Sequence, residues 1–121
     1  MVKVSSIVIG VSSLEQSRSF YESVLGMQFS EFRPPFANAT LGGIEFNIEE
    51  DAEYRSREWA QKYIGGRTRI GFETDDLDRF LDSAAQRGAN IIEQPVDRPW
   101  GWREAVIADK DGNEFVIEQK I

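Results

Sequence analysis

The same succession of elements occurs twice in this chain, and that duplication narrows the possible folds more than any other feature. "VKVSSIVIGV" at 2–11 alternates with a period of two, which puts Ile7, Ile9 and Val11 on one face of a strand. "SSLEQSRSFYESVLG" at 12–26 then reads as a helix. Ser13 is its N-cap, with Gln16 placed as in a capping box; Ser17, Phe20, Tyr21, Val24 and Leu25 share a side, and Gly26 ends it. Strands are expected at 27–33, 36–41 and 43–50, punctuated by Pro34-Pro35 and Gly42-Gly43. The pattern restarts with "RTRIGFET" at 67–74, where Ile70 and Phe72 lie on one side. "DDLDRFLDSAAQRG" at 75–88 is the second helix, capped by Asp75 or Asp76, with Leu77, Phe80, Leu81, Ala84 and Ala85 as its apolar face. Strands at 89–94, 102–109 and 113–119 complete the copy, the last two joined by the turn "DKDGN".

A strand–helix–three-strand module covers one face of its sheet and leaves the other bare, so two modules join into a larger structure. The expectation is one α+β domain, 1–121, in which two βαβββ modules (about 1–50 and 67–121) form a curved mixed sheet with helices on its convex side. The stretch 51–66 links them as a short helix or ordered loop, with Trp59 and Tyr63 on one face.

Alternation also sorts the residues that would face the hollow of such a sheet. In the first copy these are Ser6, Val8 and Gly10, then Glu45, Asn47 and Glu49, while Ile44, Phe46 and Ile48 pack toward the helix. In the second they are Arg67, Arg69, Gly71 and Glu73, then Glu114, Val116 and Glu118. If Ile107 sits opposite Phe115, then Trp102, Glu104 and Val106 join them. A polar strand face is ordinarily just solvated, and Glu45 and Arg69 could form a simple ion pair. Solvation explains Trp102 poorly, because an aromatic ring on a polar face marks a contact surface.

Composition removes whole classes of chemistry. With no Cys and no His, thiolate and imidazole catalysis and their transition-metal sites cannot be built. Any metal would sit among carboxylates and carbonyls, which favours hard ions. A net charge of −7 argues against nucleic acid as a partner. It serves solubility, and in a sharper reading it attracts a cationic small molecule. No apolar run suits a membrane span and the first residues lack a signal-peptide pattern, so a cytoplasmic location is expected.

The segments "VSSLEQSRSFYESVLGM" (11–27), "GGIEFNI" (42–48), "FETDDLDRFLDSAAQRGANI" (72–91) and "PWGWREAVIADKDGNEFVIE" (99–118) together resemble the vicinal oxygen chelate superfamily. That superfamily includes glyoxalase I, extradiol dioxygenases, fosfomycin-resistance enzymes and bleomycin-resistance proteins. The resemblance implies paired βαβββ modules, usually in a homodimer. Its enzymes hold a divalent metal with one ligand from each of four strands; by motif those places fall here on Ser6, Glu45, Arg69 and Val116. Only Glu45 is an ordinary ligand among them, since Arg69 brings a fixed positive charge and Val116 no lone pair. The family metal is therefore expected to be absent, and no other cofactor is expected. "PWGWRE" ahead of "DKDGN" is closest in style to the bleomycin-resistance type, which sequesters a drug without transforming it.

Three functions follow as expectations. The first is a metal-independent binder of an aromatic or cationic organic molecule, an antibiotic being the family-level suggestion. Glu45, Asn47, Arg69, Trp102, Glu104 and Glu114 would line its acidic cup, with Phe32, Phe36, Trp59 and Trp100 at the rim. The second is an enzyme, metal-dependent or metal-free, with Glu45 as ligand or general base. The third is a structural module whose cup is plugged by 51–66 or by a partner chain. Trp100 and Trp102 form a stacking wall in the first reading, or plug a core or dimer seam in the third.

Overall fold

The computed structural model describes residues 7–50 and 70–121, so the expectations for Ser6, Trp59, Arg69 and the 51–66 segment lie outside it. The chain divides into two compact units, Met1–Gly66 and Arg67–Ile121.

In the first unit, β1 (Ile7–Val11) leads into α1 (Leu14–Ser19), a π-helical turn (Phe20–Val24), β2 (Gln28–Arg33), β3 (Phe36–Leu41) and β4 (Ile44–Glu50). The strands form one mixed sheet in the order β1-β4-β3-β2, with β1 parallel to β4. Ser13 caps α1 as expected, its hydroxyl accepting from the Gln16 N–H at 3.3 Å. The expected single helix is instead a short α-helix that widens at Phe20, where Leu25 N–H reaches back to the Phe20 carbonyl at 3.2 Å. Tyr21 and Val24 are buried, and Gly26 ends the segment at φ +79°. Ile9, Val11, Phe46 and Ile48 form the helix-side core, as alternation requires. Ile44 does not join them. It is 48% exposed, because it opens β4 directly after the Gly42–Gly43 turn, where the strand pair ends.

Ser17 is also buried on α1, and its hydroxyl has no hydrogen-bond partner among the described residues. A hydroxyl shielded from water without a partner costs free energy, and alanine is the better helix former. Ser17→Ala is therefore expected to raise stability by about 1 kcal/mol, read as a higher urea midpoint.

The second unit repeats the plan with β5 (Ile70–Glu73), α2 (Leu77–Gln86), β6 (Asn90–Arg98), β7 (Trp102–Ala108) and β8 (Glu114–Lys120). Its sheet runs β5-β8-β7-β6, again with the first and last strands parallel. Of the two candidate caps it is Asp76 that serves, accepting from the Arg79 N–H at 3.1 Å. Leu77, Leu81 and Ala84 face the core formed by Ala105, Ile107, Phe115 and Ile117. Strand β6 continues past residue 94 to Arg98. It is an edge strand, and Pro95 falls in a register shift between Glu93 and Val96 where no ladder donor is needed.

The duplication extends to single residues. Ile9 pairs with Ile48 as Phe72 pairs with Ile117. Five residues after Ile9 and Phe72, the Leu14 and Leu77 N–H groups each donate to a side chain at the end of the last strand. The acceptors are Glu50 at 2.8 Å and Gln119 at 2.7 Å. The strands that provide them carry nearly the same five residues, "EFNIE" at 45–49 and "EFVIE" at 114–118.

Candidate functional site

The sheet face opposite α2 is the better-defined candidate, and β-register builds it in rows. Side chains directly opposite one another across neighbouring strands share a face. Glu73, Glu118 and Glu104 lie side by side on β5, β8 and β7. Two residues further along the strands, Lys120, Trp102 and Arg98 make the adjoining row on β8, β7 and β6. The expected Ile107–Phe115 pairing is the observed one, and it carries Trp102, Glu104 and Val106 onto this face.

Three carboxylates in one row repel each other. Arg98 answers one of them, its Nε lying 3.3 Å from Glu104 Oε1. Partial burial raises the Glu118 carboxyl above its ordinary value of 4.5, and the neighbouring carboxylates of Glu104, which also shares a hydrogen bond with it, and Glu73 push it the same way. Gly71 beside it leaves the room this carboxylate uses, since a Cβ there would lie 3.3 Å from Glu118 Oε1.

The two tryptophans are placed differently. Trp102 is half-buried on β7, with the Lys120 ammonium 5.5 Å from its ring centroid. Trp100 is 64% exposed in the turn between β6 and β7, with the Arg98 guanidinium 5.9 Å from its ring. Gly101 completes that turn at φ +90°, a conformation unfavourable to any side chain. The arginine of "PWGWRE" belongs to the other face: Arg103 joins Asp97 of β6 at 2.9 Å and Asp78 of α2 at 3.1 Å, pinning the helix to the sheet. The "DKDGN" turn is likewise structural, with Asp109 buried and accepting from the backbone of Asp111 and Asn113.

In the first unit, exposed Glu45 lies opposite Thr40, half-buried Asn47 opposite Asn38, and 61%-exposed Phe36 opposite Glu49, all on the face away from α1. Phe32 does not accompany Phe36. It sits opposite buried Ala37 on the helix side, with the Arg18 guanidinium 4.5 Å over its ring and Phe29 edge-on at 5.3 Å. A register shift between Phe29 and Glu31 inserts one extra residue and reverses the alternation that would have aimed Phe32 at the rim. Glu114 is half-buried opposite Ala108, one row further from Trp102 than Val116.

Sequence reasoning placed Glu73 and Glu118 on this face without counting them as site residues, and it missed Lys120. The signals were present: "EFVIE" echoes "EFNIE", and counting five residues out from the Ile107–Phe115 pair brings Lys120 opposite Trp102.

Two four-stranded mixed sheets, each with a parallel outer pair and a helix on one face, define the paired βαβββ architecture of the vicinal oxygen chelate fold. The sequence profile of the Glyoxalase/Bleomycin resistance protein/Dioxygenase superfamily matches residues 3–117, and the chain belongs to that superfamily. It is 26% identical to "Virulence protein STM3117" of Salmonella typhimurium, over 98% of this chain and 85% of that protein. A glyoxalase/bleomycin resistance protein/dioxygenase family enzyme from Burkholderia phytofirmans PsJN superposes with a TM-score of 0.77 at 24% identity, covering 97% of this chain and 98% of its own. A superfamily member from Sphaerobacter thermophilus DSM 20745 gives 0.70 at 26% identity, covering 99% and 98%.

The described residues do not fit the divalent metal used by enzymes of the superfamily. The register shows that two of the four places, Glu45 and Val116, are not equivalent in the two copies. Ile48 and Ile117 are equivalent, so the counterpart of Val116 is Asn47, and Glu45 corresponds to Glu114. The two last-strand places therefore do not form one symmetric pair in this chain: Asn47 and Val116 offer an amide and a hydrocarbon, while Glu45 and Glu114 are one row away. Among the described residues no group of three or more Asp or Glu side chains is arranged to hold a metal ion.

Proposed function

We propose that the protein is a metal-independent small-molecule binder that holds an aromatic or cationic organic ligand against the acidic, tryptophan-bearing face of its second sheet. The observation that carries this reading is the row Glu73–Glu118–Glu104, where three carboxylates in register have, among the described residues, one guanidinium paired with them. Bringing a positive charge to that row relieves the repulsion that remains among the described residues. Trp102 stands beside the row with an apolar ring for a planar body, and Glu114 and Trp100 extend the candidate surface within the second unit, while Glu45, Asn47 and Phe36 lie on the corresponding face of the first unit's own sheet. The family resemblance suggests an antibiotic as such a ligand and a cytoplasmic homodimer as the working form, which sedimentation would check. Among the described residues no helix is long and apolar enough to cross a membrane.

Glu118→Gln tests the reading at its centre. A carboxyl whose folded-state value is raised contributes stability that is complete below pH 4.5 and is lost as the pH rises through the folded value. At neutral pH the glutamine variant is therefore expected to be more stable than the wild type by about 0.5 kcal/mol, after discounting for solvent screening. That advantage should vanish in acid. The same variant is expected to bind the planar cation proflavine roughly fivefold to tenfold more weakly in calorimetry at pH 7. Equal affinity for the two proteins would remove Glu118 and its row from the binding face.

One observation favours a second reading. If the protein is an enzyme, Glu118 is a candidate acid–base group, because its carboxyl lies in a row of carboxylates beside Trp102 and is held above the ordinary range. Turnover rising and falling with the state of that carboxyl, and lost in Glu118→Gln, would mark it.

A further inference from the structure

We infer that Lys120 is a tethered competitor for the ligand's positive charge: its ammonium occupies the aromatic face of Trp102 that a bound cation would use. The inference rests on the binding reading above and adds to it a residue that sets affinity and selectivity. Lys120 lies directly opposite Trp102 across the β7–β8 ladder, with Nζ 5.5 Å from the ring centroid. The end of β8 is fixed at this point, since the Ile121 N–H donates to the Gly101 carbonyl at 3.0 Å. The lysine stem therefore starts from a held backbone beside the ring.

The other cation of the row is committed elsewhere. Arg98 is ion-paired with Glu104 at 3.3 Å and lies near the Trp100 ring. Lys120 has no ion pair among the described residues; its ammonium lies over the Trp102 ring, and the residue is exposed. An exposed cation–π contact is weak, so a ligand can displace this ammonium into water at small cost. A neutral planar ligand needs the ring but brings no charge, whereas a planar cation must both expel Lys120 and tolerate its repulsion. Lysine at this position thus handicaps cations more than neutral rings of the same shape.

The test compares wild type, Lys120→Gln and Lys120→Arg by calorimetry, with proflavine as the planar cation and acridine as its uncharged relative at pH 7.5. Lys120→Gln is expected to bind proflavine about two- to fivefold more tightly, with acridine changing less. Lys120→Arg should behave as wild type. Adding Trp102→Phe to Lys120→Gln should erase most of the gain, because the ring is what the ammonium occupies. Wild type that binds proflavine while Lys120→Gln binds it equally or less well overturns the role of Lys120 and leaves the binding reading standing. A gain that survives Trp102→Phe also overturns it, since a change in net charge would then suffice. Absence of saturable binding by every variant overturns both.

Discussion

Phe115→Ala is expected to cost about 3–5 kcal/mol, the loss typical when a large buried ring becomes a cavity. Phe115 is 2% exposed and lies between Ile70 on β5 and Ile107 on β7, with the Phe72 ring at 5.8 Å. Three strands of the second sheet therefore meet on this one side chain. Domains of ordinary stability have about 5–15 kcal/mol in total, so the variant should sit near its unfolding midpoint at moderate temperature. Phe115→Leu keeps much of the volume and should lose far less. Urea titration with an unchanged slope and a sharply lowered midpoint is the expected record. A loss below about 1 kcal/mol would mean the cavity closes freely and the packing around Phe115 is not tight. Phe46 occupies the same place in the first copy, also 2% exposed, and its alanine variant should behave alike.

That equivalence shows how far the sequence could be read. The order of elements, the cap Ser13 and a second cap at Asp75 or Asp76 follow from local rules, and the structure has Ser13, Asp76 and the conditional Ile107–Phe115 pairing. Alternation failed where the chain breaks its own period. The extra residue near Ser30 turns Phe32 toward Arg18, and a bulge leaves almost no trace in composition. The strand expected at 89–94 runs on to Arg98, because at an edge Pro95 occupies a gap in the ladder.

The candidate site was legible one strand at a time and obscure across strands. That Glu104 and Glu118 face the same way follows from period two. Their adjacency follows once Ile107 is set opposite Phe115, but that Glu73 joins them depends on the parallel β5–β8 pairing, which no local pattern encodes. The same limit hides that Glu45 and Val116 are not equivalent places. Motif spacing names Glu45 in one copy and Val116 in the other, and only the register shows that Asn47 is the equivalent of Val116 and Glu114 that of Glu45. Sign and spacing were visible; adjacency across the parallel pairs was not. The two tryptophans make the point again: close in sequence, one is on a strand and the other on a turn, and each has its own cation.

The turn that ends β7 offers the other large effect. Asp109 is 4% exposed and its carboxylate accepts three hydrogen bonds, from the N–H groups of Asp111 and Asn113 on one oxygen and from the Asn113 side-chain amide on the other, each at 2.9 Å. Its own N–H donates to the Asn113 carbonyl at 3.0 Å, and Gly112 N–H closes the loop onto the Asp109 carbonyl at 3.1 Å. Gly112 provides the positive φ of 84° that the tight return needs. Alanine at 109 would strand two backbone donors near the core, at a cost of about 3 kcal/mol and a fall in Tm on the order of 10 °C. Asparagine keeps the oxygen that serves both backbone groups and loses the contact with Asn113, so Asp109→Asn should cost about 1 kcal/mol, as should Asn113→Ala. The three variants together apportion the turn: if Asp109→Asn is as damaging as alanine, charge rather than hydrogen-bond geometry holds it. Asp109 lies seven residues along the chain from Trp102, roughly 23 Å in an extended strand. Proflavine affinity in the folded Asp109 variants should accordingly stay within about twofold of wild type, while Glu118→Gln and Lys120→Gln move it in opposite directions.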